Sequence, residues 1–495
     1  MERRTFIRIT SLGSLSIGFL SSNSFLLSSC HKMGMNETMS GSYIDIIEGD
    51  FTNSFINPAT ITNNGALEAQ KTNCQIFPGK TSKVYSYKAN AILGPIIVMN
   101  SGEQAIINVQ NNLDEPTNIH WHGLVIPSNM DGHPMNIISA GSSYTYNFQV
   151  NQRASLYWYH PHPDGATASQ VFRGLAGGIV VRDAEENALN LPSGTLEIPL
   201  IIQDKRIFPD YSIDYSPQMN EIMTGYLGQY ALVNGKYAPN LNVETTTYRF
   251  RVLNGSNARV YNLALSTNES FTIIGSDGGL LSSPETTNSI LLGPGERLDL
   301  LIDFSNQIVG TELFLVSKTF SNAGIQGAQE FKIVKFTVDQ QNTLAYTIPG
   351  SLSVISSIPE SISIKTRKFE IGNMSMGMGS GGMGGHTING VSFDATVINE
   401  TVQSGTTEIW EFDNSMGQEL HPMHIHGIQF QVLNRVGGRN TLIASEKGWK
   451  DTVMVLPNEK VRVIMTFGSN LGVFMLHCHN LEHEDDGMML QFEII

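Results

Sequence analysis

The chain is sparing with cysteine, with charge and with long apolar runs. It has 3 cysteines in 495 residues, only 15% charged side chains, and a net charge of -15 that leaves no surplus of lysine and arginine. So few thiols exclude a disulfide framework, even at an oxidising destination. The acidic balance excludes a nucleic-acid partner, because no basic stripe exists to neutralise phosphates. It favours cationic substrates or plain solubility. Low charge density with 47 glycines suits strands joined by tight turns better than helices. The apolar stretch from Leu12 to Leu27 is too short, and too broken by serine and glycine, to span a bilayer.

What precedes and ends that stretch is informative. "MERRTFIRIT", with Arg3 and Arg4, resembles a twin-arginine export signal, and "LSSC" resembles a bacterial lipoprotein box with Cys30 as the acylated residue. The two imply a periplasmic or cell-envelope protein with a lipid anchor. Residues 1–30 are set aside as the signal, and the polar stretch 31–70 as a flexible tether with room for some ordered structure near its end. Cys74 then reads as a small apolar core residue, which leaves Cys478 to explain.

From about residue 80 the pattern is that of strands. "KVYSYKAN", "AIINVQNN", "SYTYNFQV" and "GGIVVRDA" alternate apolar and polar residues between Gly, Asn or Asp. "AIINVQNNLDEPTNIHWHG" is echoed by "EIWEFDNSMGQELHPMHIHG", each a strand, a turn and a histidine cluster. "RFRVLNGSNARVYNLAL" keeps the strand and turn without histidine. Repetition at this scale predicts an all-β chain of three related β-sandwiches, 71–187, 188–350 and 351–495, with the chemistry confined to the first and third.

Ten of the 13 histidines fall in four clusters, His120/His122, His160/His162, His421/His424/His426 and His477/His479/His483, leaving His31, His133 and His386 scattered. On a strand, residues i and i+2 share a face and lie roughly 6.5–7 Å apart. Each HxH therefore presents two imidazoles side by side. Imidazole suits copper, zinc, iron and nickel alike, so these pairs leave the metal open.

"LHCHNLEHEDDGMML" settles it. His477 and His479 share one strand face and Cys478 takes the other, so a metal held by Cys478 sits a few covalent bonds from one held by its neighbours. His483 and Met488 follow at intervals of five residues, and His421 arrives from the preceding cluster. Two imidazoles, a thiolate and a weak thioether form the blue-copper electron-transfer set; zinc would take a fourth strong ligand.

At "HWHG", "YWYHPH", "HPMHIHG" and "HCHNLEHEDDGM" the chain resembles the three-domain multicopper oxidases, over essentially everything after the signal. The resemblance implies cupredoxin-like Greek-key sandwiches and four coppers per chain. It implies type 1 copper on His421, Cys478, His483 and Met488, and type 2 copper on His120 and His424. One type 3 copper falls to His122, His160 and His479, and the other to His162, His426 and His477. Four one-electron oxidations would be coupled to reduction of O2 to water. Asp131 and Glu484 resemble the acids that deliver protons near the cluster.

The donor is less constrained. "MSMGMGSGGMGGH" sets Met374, Met376, Met378 and Met383 in a Gly/Ser-rich segment, and thioethers are soft ligands suited to Cu(I). Its placement and "GWKDTV" resemble the cuprous-oxidase branch, although this insert is short and poor in histidine. Glu419 and Asp451, near His421 in sequence or by this resemblance, would attract cations or accept a phenol proton, or equally be surface charges or local hydrogen-bond acceptors. The leading expectation is an exported, monomeric oxidase of Cu(I), with phenols as further donors, serving copper tolerance. A laccase-like phenol oxidase is the alternative, and a non-enzymatic copper-binding cupredoxin the third.

Overall fold

The computed structural model describes residues 45–321, 323, 326–373 and 385–495. Arg3, Arg4, Cys30, Met374, Met376, Met378 and Met383 lie outside the described residues. Among the described residues, no helix is long and apolar enough to cross a membrane.

Alternation in the sequence becomes alternation in burial. Along the strand Gln104–Asn111, Ala105, Ile107 and Val109 are buried between more exposed neighbours. In Thr247–Asn254 both faces are covered: Tyr248, Phe250 and Val252 join an apolar core, while Arg249 and Arg251 turn the other way. There they are buried against Glu186, Glu197 and Asp299. Buried guanidinium groups need such partners, because an unpaired buried charge costs several kcal/mol.

Among the described residues the strands form six sheets, and one pairing motif occurs three times. Asn64–Cys74 runs parallel to Gln104–Asn111, which pairs antiparallel with Ser143–Gln149. Glu197–Ile207, Thr247–Asn254 and Arg297–Asp303 repeat the arrangement, as do Ser363–Asn373, Thr407–Asn414 and Glu459–Thr466. A second sheet faces each of these, and apolar side chains fill the space between them. The repetition seen in the text is therefore repetition of a two-sheet sandwich.

The facing sheets carry the histidines in equivalent places. In the last sandwich His424 pairs with His477 between the strands His421–Ile425 and Gly472–Cys478. In the first, His120 pairs with His160 as an isolated bridge. The middle sandwich makes the corresponding pairing between Tyr261–Leu265 and Glu312–Ser317, with no histidine in either strand.

Two expectations need correction. The stretch taken as tether to residue 70 contains the strands Asn53–Ser54, Thr60–Thr62 and most of Asn64–Cys74. Its polar side chains hid this: these strands are only partly covered, and their order comes from parallel partners distant in sequence. Likewise the histidine pairs do not all lie on regular strands. His122 and His426 fall in turns, His479 in a bend and His162 in irregular chain, each just past a strand or bridge position, where Gly123, Gly427 and Pro161 interrupt the ladder. Cys74 is buried in a small apolar cluster with Ile76 and Val84, as expected.

Candidate metal centre

In two of the clusters the residue between the histidines anchors the pair. Trp121 of "HWH" is fully buried against Tyr146, Phe148 and Tyr159, and Ile425 of "HIH" enters the core of the last sandwich. With the middle side chain locked in a core, the two flanking imidazoles are held on the other side. Trp158 walls that side, its ring centroid 4.2 Å from His160 and 5.3 Å from both His122 and His479.

Hydrogen bonds set the tautomers. Nδ1 of His120 lies 2.7 Å from the Asp131 carbonyl, that of His160 2.9 Å from Pro161 O, that of His424 2.8 Å from Asp451 O, and that of His477 3.1 Å from Cys478 O. A carbonyl only accepts, so in each ring Nδ1 carries the proton and Nε2 keeps its lone pair. His426 donates from Nδ1 to Asp131 Oδ2 at 2.7 Å.

The free Nε2 atoms converge. They are separated by 3.3 Å for His120 and His424, 3.0 Å for His426 and His477, and 3.4 Å for His162 and His477. Lone pairs at such distances repel one another. Nitrogens sharing one first-row ion at about 2 Å, in tetrahedral geometry, would sit roughly 3.3 Å apart. His160 Nε2, His122 Nδ1 and both nitrogens of His479 are buried without any hydrogen-bond partner. Burial holds His120, His122, His424, His426 and His479 far below the ordinary histidine range, His160 at about 4 and His162 at about 3. The rings are neutral donors, as a metal requires.

A second donor set lies on the other side of Cys478. Its Sγ is 3.5 Å from His421 Nδ1 and 3.7 Å from His483 Nδ1, and those two nitrogens are 3.2 Å apart. His483 donates from Nε2 to Met223 O at 3.1 Å, which turns the Nδ1 lone pair toward the sulfur. Met488 is buried in the same core as Cys478, and its backbone closes the loop: Cys478 N donates to Met488 O at 3.1 Å, and Met488 N to His483 O at 2.9 Å. Burial pushes the Cys478 thiol well above the usual range. It gives up its proton only to a cation placed beside it.

The helix Leu481–Asp485 pins this loop to the other two sandwiches. Asp485 accepts from the backbone N–H of Thr167 at 3.0 Å and of Ala168 at 2.9 Å. Glu482 accepts from Asn257 Nδ2 at 2.8 Å and Tyr226 N at 3.0 Å. Glu482 and Asp485 are thus joints between sandwiches.

Asp131 and Glu484 both border the histidines. Burial raises Asp131 above the ordinary carboxylate range, and its Oδ2 accepts from His426 Nδ1. Burial would raise Glu484 too, but the imidazoles of His162 and His477 outweigh it and hold the carboxyl at about 2. Its oxygens lie 3.0 Å from His477 Nδ1 and 3.5 Å from His162 Nε2.

Some residues stand elsewhere than expected. Asp451 is fully buried, 3.1 Å from His122 Nε2 and clamped by Arg297; of the two readings it is the hydrogen-bond acceptor and not a charge beside His421, because the pairing of His421–Ile425 with Thr452–Val455 carries it to the His424 end. His386, taken as scattered, is buried and stacks on His483 with ring centroids 3.8 Å apart, its Nδ1 2.8 Å from Asp486 Oδ2. Glu419 is half-buried, and burial raises its carboxyl. A surface cleft of about 640 Å³ beside Phe77, Arg206 and Tyr230 contains none of the donor residues.

Three sandwiches, a thiolate site and an adjoining nest of imidazoles define a cupredoxin-type copper oxidoreductase. The chain belongs to the multicopper oxidase family, whose profiles match residues 68–186, 215–339 and 365–495. It is 36% identical over 441 residues to the multicopper oxidase mco of Staphylococcus haemolyticus, covering 87% of this chain and 89% of that one. Among solved structures it is similar to the McoA multicopper oxidase of Aquifex aeolicus, with 35% identity, TM-score 0.82, and coverage of 89% of this chain and 99% of that one. The laccase of Pediococcus acidilactici follows closely, with 35% identity, TM-score 0.81, and coverage of 92% and 96%.

Proposed function

We propose that this multicopper oxidase oxidises Cu(I), and phenols as additional donors, one electron at a time, with O2 reduced to water. The observation that carries this is the placing of Cys478: Sγ faces His421 and His483 while the two flanking residues face the imidazole nest. In this reading His421, Cys478, His483 and Met488 hold type 1 copper, and His120 and His424 hold type 2. His122, His160 and His479 hold one type 3 copper; His162, His426 and His477 hold its twin. When bound, these ions supply the one-electron steps at the thiolate and the four-electron reduction of O2 at the nest.

The chain's own residues do the rest. The backbone of residues 477–479 is the shortest covalent link between the two sites. Trp158 and the buried core keep bulk water from the nest. Asp131, bonded to His426, and Glu484, beside His162 and His477, are the carboxyl groups that border the nest, where reduction of O2 to water consumes protons. Both are assigned to proton delivery.

Cu(I) as donor is supported by the thioethers of Met374, Met376, Met378 and Met383, which precede His386 in sequence and hence the His483 stack. A role in copper tolerance follows from that substrate. Twin-arginine export to the periplasm or cell envelope, a lipid anchor at Cys30 and a monomeric state complete the proposal, with the chain divided at residues 187 and 350. The second reading, a laccase-like phenol oxidase, is favoured by the similarity to a protein named laccase.

Oxygen uptake with Cu(I) and with a phenol, before and after deletion of residues 374–384, separates the two. The deletion spares His386 and is expected to slow Cu(I) oxidation while leaving phenol oxidation in place. Undiminished Cu(I) oxidation removes the segment from the mechanism. Cys478→Ser is expected to abolish the blue absorption and turnover while the histidines still take up metal.

A further inference from the structure

The middle sandwich has no histidine, yet it touches the imidazole nest. Its turn at residues 293–297 brings Gly295 so close that a Cβ there would lie 2.9 Å from His479 Cδ2 and 3.1 Å from His122 Cε1. Arg297 follows, fully buried. A guanidinium has five N–H donors in a rigid plane, and here every edge of the plane is engaged. Nε donates to Leu156 O at 3.0 Å, Nη1 to Gly295 O at 3.0 Å and Asp451 Oδ1 at 2.7 Å, and Nη2 to Asp277 O at 3.1 Å and Asp451 Oδ2 at 2.6 Å. Leu156 belongs to the first sandwich, Gly295 and Asp277 to the middle one, and Asp451 to the last.

The clamp fixes more than domain positions. With both oxygens on the guanidinium, Asp451 is an acceptor only. Its Oδ1 also lies 3.1 Å from His122 Nε2 and 3.0 Å from the Thr452 hydroxyl that donates to it. His122 Nε2 must therefore carry the proton, which leaves the lone pair on Nδ1, buried and without a partner. The four rings tied to carbonyls have the opposite tautomer. His122 alone among these five would bind through Nδ1, and the group that decides it is held from the middle sandwich.

We infer that Arg297 is a positioning residue of the imidazole nest: by clamping Asp451 it holds His122 in the Nε2–H tautomer with Nδ1 free for metal. The inference rests on the reading that the nest holds copper. It also gives the middle sandwich a task at the site, besides that of a spacer.

The test uses the full chain labelled with 15N-histidine, first metal-free and then copper-loaded, as wild type and Arg297→Lys. Lysine keeps the charge and loses the planar fork. In metal-free wild type, His122 is expected to show protonated Nε2; in the variant that signature is lost or mixed. In the loaded variant, retention of copper at the nest against a chelator is expected to weaken by about 10- to 100-fold, the usual effect of losing an orienting partner of a ligating histidine. The blue band and the rate at which a donor reduces it should not change, which a general loss of structure would not spare. A folded Arg297→Lys with the wild-type His122 signature and wild-type copper retention overturns the inference. Should that variant not accumulate as folded protein, Asp451→Asn carries the test. Its amide can donate to His122 Nε2 and is expected to shift the proton to Nδ1, and an unchanged Nε2–H refutes the mechanism. Wild type that binds far fewer than four coppers would instead sink the proposed function, and the metal-free tautomer would still decide this point.

Discussion

Gly295→Ala is the substitution for which the structure gives the fullest arithmetic. The residue has φ of +79°, so any side chain meets the left-handed penalty of roughly 1–2 kcal/mol. The new Cβ would also lie 2.9 and 3.0 Å from two ring carbons of His479 and 3.1 Å from His122 Cε1. Carbon pairs prefer about 3.5–4.0 Å, so overlap is about half an ångström on two sides, and overpacking of that kind costs roughly 1–3 kcal/mol. Together the loss of stability should be about 2–5 kcal/mol. The strain should also have a direction. His122 is held by Asp451 and Thr452, whereas both ring nitrogens of His479 lack hydrogen-bond partners, so His479 is the ring that gives way. Gly310→Ala is the matched control, with φ of +95° and nothing within 4 Å of the new atom. It should lose only the backbone part and keep its full copper. The assay is denaturant unfolding of the metal-free proteins together with copper per chain in the loaded ones. Equal stability losses in the two variants, with equal copper content, would refute the claim that the middle sandwich is packed directly against the ligands.

Three further outcomes are expected. Asp131→Asn and Glu484→Gln should each lower turnover by about 100-fold or more, the scale of a lost general acid or base, with the blue band and copper count unchanged; unchanged turnover at full copper occupancy would remove them from proton delivery. Trp121→Ala should cost about 3–5 kcal/mol, as truncation of a buried aromatic does, and should lower copper at His120 and His122 along with it, both read by unfolding and metal analysis. Glu186 is buried, which would raise its carboxyl, but Arg251 and Arg249 hold it at about 2 against an ordinary 4.5. A depressed carboxyl contributes stability that is present above the ordinary value and lost as pH falls from about 4.5 to about 2. Glu186→Gln should therefore be roughly 3 kcal/mol less stable than wild type at neutral pH, with the gap closing across that window. A gap independent of pH would exclude the ion pair as its cause.

The contrast between what the chain shows as text and what it hides follows from distance. "HWHG", "HPMHIHG" and "HCHN" are legible because a two-residue period and a core-anchored middle residue are local facts, written within three or four letters. The three sandwiches are legible because each repeats the same strand and turn. Arg297 and His386 leave no such mark. Arg297 meets Asp451 across 154 positions and His386 meets Asp486 across 100, and nothing near either residue distinguishes it from an ordinary strand charge or a linker histidine. The polar strands between 53 and 70 were hidden for the same reason, since their partners lie far along the chain. This sorts the residues by role. Those that bring donor atoms are spelled out by local repetition in the first and last sandwiches, whereas those that decide which nitrogen of a donor faces the metal are supplied from wherever the folded chain brings a carbonyl, a carboxylate or a guanidinium. The middle sandwich, having lost or never had histidines, was free to take that second role, and Gly295 and Arg297 are the residues through which it does so.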